Sequence, residues 1–244
     1  MNDYIIYSLL TILLSTLFSI GGAGAGVALI PIFNFLGLGF TIAKAVGLFA
    51  GASTTIISSI MNIKRKVVDY KFVFPIAITM LIFAPLGAYS SGFIDEDIVK
   101  FFYMIMLFYS ATMMMFGKKK ALFSIKSKYT LFIVGGIVGF LAGLLGVGGG
   151  NILIPLLALL DYEPKKVAVA VSFVVPFSAL SSFFTYATYV PLDYIMLVVV
   201  SLSAIVGGYI GNYMMHFKLN QNHIKKIMAL LLYLLAIKLL WHFI

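Results

Sequence analysis

Apolar residues fill this chain in ten nearly charge-free stretches, at about 4 to 20, 26 to 37, 45 to 62, 72 to 90 and 98 to 116, then 129 to 145, 150 to 160, 167 to 187, 194 to 215 and 227 to 244. A helix that crosses a bilayer needs about 20 such residues, so the pattern predicts an all-α chain lying in or beside a membrane for most of its length. The stretches after Gly26 and Gly150 are shorter, near 11 residues or about 17 Å of helix. They are too short to cross fully, and the glycines before them predict broken or re-entrant helices. Irregular backbone at membrane depth is tolerated only where protein or a water-filled cavity surrounds it, which places both breaks inside the bundle. The first stretch is read as a transmembrane helix rather than a signal peptide, because Asp3 and no Lys or Arg leads it and no small-x-small cleavage site follows.

The pattern repeats. Gly21-Gly22-Ala23-Gly24-Ala25-Gly26 running to Pro31 returns as Gly146-Val147-Gly148-Gly149-Gly150 running to Pro155, 124 residues later. The same offset, without gaps, pairs Leu29-Ile30 with Leu153-Ile154, Asp69-Tyr70 with Asp193-Tyr194, Gly87 with Gly211, Tyr89 with Tyr213 and Tyr109 with Tyr233. The chain is one unit written twice. The expected division is a first transmembrane repeat at 1–117, a basic cytoplasmic linker at 118–128 and a second repeat at 129–244.

Composition fixes the class. Apolar residues make up 62% of the chain and charged residues 10%, against roughly 25% charged in soluble domains. The formal net charge of +9 does not point to nucleic acid, because the charges sit in short loops where they orient a membrane protein. Lys64, Arg65, Lys66 and Lys71, then Lys118 to Lys120 with Lys126 and Lys128, then Lys218, Lys225 and Lys226 mark loops expected in the cytoplasm, joined by Lys165 and Lys166. Asp95-Glu96-Asp97 and the span 187–192, which has no basic residue, are expected outside. Equivalent loops therefore change sides between the halves. That is the charge signature of two inverted-topology repeats, each of about five hydrophobic segments or of three crossings and a re-entrant hairpin, with both termini external. A multi-pass protein of the cell membrane follows.

A helix that begins inside a bilayer turns unpaired N–H groups and its positive dipole end toward whatever occupies the break, and an anion is favoured there. Gly24 and Gly26 in one half, and Gly148, Gly149 and Gly150 in the other, are candidates for a two-sided cradle near the bilayer midplane, with Asn151 adding side-chain donors. Gly22 with Gly26, Gly135 with Gly139 and Gly146 with Gly150 are also small-xxx-small pairs, so close helix packing is the competing reading. Ser53 and Ser172 lead hydroxyl-bearing runs that could line a polar path; bonding to their own helix backbone is the plainer alternative. Asp69 and Asp193, each before Tyr and a long apolar run, read as helix N-caps, with a proton relay as the alternative. Lys44 stands at a segment entrance, where it attracts anions or snorkels, and Lys238 is read as snorkelling outward near Trp241. His216, His223 and His242 lack ligand spacing, and the absence of Cys removes thiolate chemistry, so no metal and no cofactor is expected.

The two glycine clusters followed by Leu-Ile-Pro, the run Lys44-Ala45-Val46-Gly47, the turns Val68-Asp69-Tyr70 and Leu192-Asp193-Tyr194, and Gly207-Gly208 with Gly211 resemble the sulfite exporter TauE/SafE family of membrane permeases over nearly the whole chain. The resemblance implies transport of sulfur-containing anions such as sulfite or sulfonates, commonly by efflux, through about eight spans. Leu48-Phe49 stand where that family usually carries Thr-Ser, and the second half keeps Ser172 after Val171.

Secondary transport of a small anion is thus the leading expectation, with the lipid bilayer as surroundings and a proton or ion as possible coupling partner. An anion-selective channel is the alternative. An enzyme is not expected: there is no His-Glu-x-x-His, no nucleotide-binding Gly-x4-Gly-Lys, and no acid pair spaced for catalysis within the apolar segments.

Overall fold

The computed structural model describes residues 2–116, 127–215, 221–241 and 243. They form ten helices: α1 Asn2–Ile20, α2 Gly26–Phe35, α3 Phe40–Lys64, α4 Tyr70–Ser91, α5 Glu96–Phe116, α6 Lys128–Leu145, α7 Gly150–Leu159, α8 Pro164–Ala187, α9 Tyr194–Met215 and α10 Gln221–Leu240. Among these, α3, α4, α5, α6, α8 and α9 are long and apolar enough to cross a membrane. Most of the linker 118–128, together with Lys218, His216 and His242, lies outside the described residues.

Local chemistry sets the helix ends. The Asp69 carboxylate accepts from the Phe72 N–H at 3.3 Å, and that of Asp193 from the Ile195 and Met196 N–H groups at 2.9 and 3.1 Å, so both aspartates are N-caps as read from sequence. Pro164 starts α8 where its missing N–H costs nothing.

The packing follows the repeat. At the 124-residue offset α1 to α5 correspond to α6 to α10, and each contact between the halves has a counterpart with the halves exchanged: α4 packs on α6 as α9 packs on α1, and α4 on α8 as α9 on α3. Two corresponding pairs meet each other directly, and both run antiparallel. Between α3 and α8, Phe49 packs on Phe183 at one end (ring centroids 4.7 Å) while Ser59 and Asn62 reach Ser172 at the other. Between α5 and α10, Phe101 lies by Phe243 and the Thr112 hydroxyl bonds that of Tyr233. The halves interlock as one bundle, with α3 and α8 at its centre.

Glycines let the interlocking helices touch. On α6, Gly135, Gly139 and Gly143 face Ile76, Met80 and Ala84 of α4, and on α9 Gly207 and Gly211 face Ile12, Ser15 and Thr16 of α1. In lipid no hydrophobic force draws apolar helices together, so close van der Waals approach over such stripes supplies the attraction.

The bundle has two unlike ends. At one, Lys64 to Lys66 and Lys71 gather with Lys165 and Lys166 and the start of α10; Lys166 Nζ lies 2.7 Å from Asp69, and Arg65 donates to Asn212 at 2.7 Å. At the other, Asp95 to Asp97 join the starts of α1, α3 and α9, with Tyr4 donating to Asp193 at 2.7 Å and Thr41 to Glu96 at 3.1 Å.

Two outcomes test this packing. Gly143→Leu would drive a side chain into the Ala84 carbonyl and is expected to lower stability by about 1–3 kcal/mol, whereas Gly39→Ala, whose Cβ would meet only Ile42 Cδ1 at 3.9 Å, should lower the melting temperature in detergent far less. The hydrogen bond from Lys166, with help from the Phe72 N–H, holds the Asp69 carboxyl below the usual carboxylate range. A lowered folded-state pKa stabilises above the ordinary carboxylate value and is lost as pH falls through the lowered one. The melting-temperature gap between the native chain and Asp69→Asn should therefore close as the pH is taken from about 6 to about 3.

Candidate functional site

The two glycine clusters break the helix ladder in the same way at first. α1 closes on Gly22 at φ +78°, with the Gly22 N–H donating to Ser19 and that of Ala23 to Phe18; α6 closes on Gly146, also at φ +78°, with the Gly146 N–H donating to Gly143 and that of Val147 to Ala142. This paired closure needs a left-handed residue, which glycine adopts without a Cβ penalty. Beyond it the copies diverge. Gly148 and Gly149 are left-handed at φ +69° and +86°, while Ala25, at the position of Gly149, is right-handed at −71°.

After the first break the chain reverses. Phe33 in the last turn of α2 packs edge-on against Tyr7 in the first turns of α1, so α2 folds back beside α1 instead of continuing it. Within α2 the first bonds run from the Ala28 and Leu29 N–H groups to the Ala25 carbonyl, and within α7 from those of Ile152 and Leu153 to Gly149. The N–H groups of Gly26, Val27, Gly150 and Asn151 precede these ladders and stand at the positive dipole ends.

The central helices carry both breaks. Gly47, Gly51 and Thr55, spaced four apart on α3, face the first: a Cβ placed on Gly26 would meet the Gly47 carbonyl oxygen at 2.8 Å, and one on Gly24 would meet that of Gly51 at 3.1 Å. The matching residues of α8, Val171, Val175 and Ala179, face Gly148 and Gly150. The breaks also meet each other, since a Cβ on Gly150 would lie 3.8 Å from Ala23 Cα. At this junction Asn151 is 2% exposed, and its carboxamide oxygen has no hydrogen-bond partner. An unpaired polar atom so deep is costly unless a ligand or water completes it. The Ser178 hydroxyl donates to the Gly148 carbonyl at 2.7 Å and fixes the irregular backbone.

Each residue singled out from sequence has a definite place. Gly24, Gly26, Gly148, Gly149, Gly150 and Asn151 are all buried: Gly24 and Gly26 lie against α3, Gly148 and Gly150 against α8, and Gly149 against Met80, Val138 and Ala142, with the approach of Gly150 to Ala23 linking the two sets. The Ser53 hydroxyl donates back to Phe49 of its own helix at 2.9 Å. That of Ser172 donates to Val169 and receives the Asn62 amide, within the contact of α3 with α8. Sequence reasoning passed over the Gly47, Gly51, Thr55 stripe, although its four-residue spacing of small residues is a visible signal. Lys44 is 1% exposed. Its Nζ donates to the Ser91 hydroxyl at 2.8 Å and lies 4.8 and 5.3 Å from the Tyr186 and Phe40 ring centres, while its stem covers Gly146. Among the described residues no carboxylate lies within ion-pair distance of it. Its ammonium rests on a hydroxyl and two aromatic faces. Among the described residues no group of three His, Asp or Glu side chains comes together to hold a metal ion.

A multi-pass helical bundle of this kind, with two interrupted helices meeting at its buried centre, has the architecture of a membrane transporter. The chain belongs to the sulfite exporter TauE/SafE family, which residues 7–239 match. Its relatives carry the same class of name. A probable membrane transporter protein of Methanocaldococcus jannaschii, MJ0441, is 34% identical over 185 residues, covering 72% of this chain and 68% of its own. The probable membrane transporter protein YunE of Bacillus subtilis is 26% identical over 98% of both chains, and one of Haemophilus influenzae is 25% identical over 75% of this chain and 71% of its own. No solved structure matches the chain. The protein is a multi-pass membrane transporter.

The divergence of the two breaks has a measurable consequence. Gly149→Ala forces a Cβ into a left-handed backbone and should destabilise the protein by roughly 1–2 kcal/mol, while Ala25→Gly at the equivalent position costs at most about 1 kcal/mol. Denaturant unfolding in mild detergent compares the two.

Proposed function

We propose that this protein is a secondary transporter of small sulfur-containing anions, such as sulfite or sulfonates, held between the two glycine breaks. The observation that carries the proposal is the meeting of the first break, at Ala23, with the start of α7, at Gly150, beside the buried Asn151, whose carboxamide NH2 is a donor for an anion. Two helix starts offer an anion N–H groups from opposite sides, and the glycines let it approach the backbone. Gly24, Gly26, Gly148, Gly149 and Gly150 form the cradle, with Asn151 at its edge. Ser53 and Ser172 reach the anion only by exchanging the bonds they already make.

Lys44 adds charge. An ammonium buried at a membrane segment without a carboxylate partner is costly to maintain and marks a pathway by default. Beside Gly146, it raises the local positive potential on the side from which the second break is approached.

Two repeats, 1–117 and 129–244 joined by the basic linker 118–128, run in opposite directions on this reading. The antiparallel contacts of α3 with α8 and of α5 with α10 support it. The basic end faces the cytoplasm by the charge rule. Inversion gives the central site two equivalent routes, one to each side, as alternating access requires.

A melting-temperature panel on the detergent-purified protein tests the site, with sulfite, sulfate, thiosulfate, taurine, sulfoacetate and simple carboxylates as ligands. A ligand at about 100 times its dissociation constant stabilises by about 2.7 kcal/mol. The expected result is a rise confined to sulfur oxyanions, abolished by Gly149→Leu. For Lys44→Met the apparent KM in proteoliposome flux should increase about tenfold, a loss of roughly 1.4 kcal/mol. No shift with any of these ligands sinks the cradle. Flux that never couples to a second gradient makes the protein an anion channel instead.

A further inference from the structure

The repeat supplies an internal comparison between the two ends of the molecule. Near the acidic end a cavity of about 610 Å³ opens between α1, α3 and α9, with Tyr7, Leu38, Ile42, Val46, Asp193 and Met196 in its wall. At the 124-residue offset these six residues correspond to Leu131, Tyr162, Lys166, Ala170, Asp69 and Phe72 at the basic end. There the equivalent space is bridged. Lys166 Nζ lies 2.7 Å from the Asp69 carboxylate and 4.9 Å from the Phe72 ring centre, and Phe72 packs on Tyr162 with centroids 4.6 Å apart.

The difference comes from the side chains. Lys166 is replaced by Ile42, so no cation on α3 faces Asp193, which instead takes a hydrogen bond from Tyr4 on α1. Phe72 and Tyr162 are replaced by Met196 and Leu38, and no ring pair ties α9 to the end of α2. Val46, in the cavity wall, directly precedes Gly47, against which Gly26 of the first break packs. The cavity therefore reaches the turn of α3 that carries Gly47.

We propose that the cavity is the outer access vestibule of the transporter, and that Asp69, Lys166, Phe72 and Tyr162 form an inner gate that holds the opposite route shut. This rests on the reading of the glycine breaks as the substrate site. One partly exposed ion pair and one ring contact are weak enough to be broken thermally, as a gate must be. The pseudo-symmetric exchange of the two ends then opens the basic end as α3 and α9 close over the vestibule.

The chain contains no cysteine, so single cysteines report access without background. Ile42→Cys places a thiol in the half-buried wall of the cavity, and Ala170→Cys places one behind the gate, where the residue is 1% exposed. A membrane-impermeant thiol reagent is applied to right-side-out and to inside-out vesicles carrying each. If the gated state is about ten times more populated than its opposite, Ile42→Cys reacts from the vestibule end about tenfold faster than Ala170→Cys does from the basic end. Adding Tyr162→Leu or Lys166→Met, neither of which removes the Asp69 cap of α4, should speed labelling of Ala170→Cys and slow that of Ile42→Cys. Lys166→Arg keeps the ion pair and should keep the native pattern. Equal labelling of the two positions in the otherwise native chain, an unreactive Ile42→Cys, or indifference of Ala170→Cys to the gate variants would each overturn the proposal. The readout involves no substrate. Failure here leaves the anion site standing, and failure of the anion panel leaves the gate standing.

Discussion

In hydrocarbon every backbone N–H and C=O must find a partner within the protein, and the rest of this structure is arranged around that requirement. Along a helix the backbone satisfies it by itself. The two breaks, at Gly21 to Ala25 and Gly146 to Gly149, do not, and they are tolerable only where other helices enclose them. α3 and α8 provide the enclosure from the centre, through Gly47, Gly51 and Thr55 on one side and Val171, Val175 and Ala179 on the other. Ser178 adds a direct bond to the Gly148 carbonyl. Such burial leaves the Asn151 carboxamide oxygen without a partner at the point where the breaks meet, beside the site proposed for an anion.

Enclosure of that kind depends on short interhelical distances. Without water to expel, apolar helices have little reason to associate except contact, and contact at backbone distance needs glycine. The stripes on α6 and α9 serve it between the halves, and Gly26 with Gly47 serves it within the first. The packing and site readings of the glycines are thus compatible. Gly26 is small because Gly47 lies against it, and that same contact holds the start of α2 at the centre. Gly149 is different, since its left-handed backbone shapes the second break itself.

Two-fold correspondence is kept in the backbone and dropped in the side chains. α1 and α6 end in identical closures, and Asp69 and Asp193 both cap helices. Around those aspartates the copies differ: Lys166, Phe72 and Tyr162 meet at one end where Ile42, Met196 and Leu38 leave a cavity at the other. Lys44 is a second departure, for its counterpart is Ala168, set against Gly22 as Lys44 is set against Gly146. A perfectly symmetric pair of repeats would favour neither end. Charge and aromatic contacts at a few positions break that symmetry.

Much of this was legible in the chain itself. Hydrophobic run lengths located eight of the ten helices to within about three residues and missed the lysine-bearing starts of α3 and α10 by five and six, because a lipid-embedded helix is marked by its apolar residues and not by the polar turn that precedes them. The 124-residue offset predicted which helices correspond, and the Asp-Tyr pairs predicted caps, because capping is a local bond between neighbours in sequence. Membership of the TauE/SafE family was legible for the same reason, its marks being short contiguous motifs. Ser53 and Ser172 show the limit, as a hydroxyl in a membrane helix bonds whichever carbonyl or side chain the neighbouring turn presents, and composition cannot say which. The interlocking of α4 with α6 and α1 with α9, the burial of Lys44 against Ser91 and Tyr186, the meeting of Ala23 with Gly150, and the contrast between the two ends were decided by tertiary structure alone. Each joins residues far apart in the chain through interhelical distance, and a linear pattern fixes what a helix is without fixing what it touches.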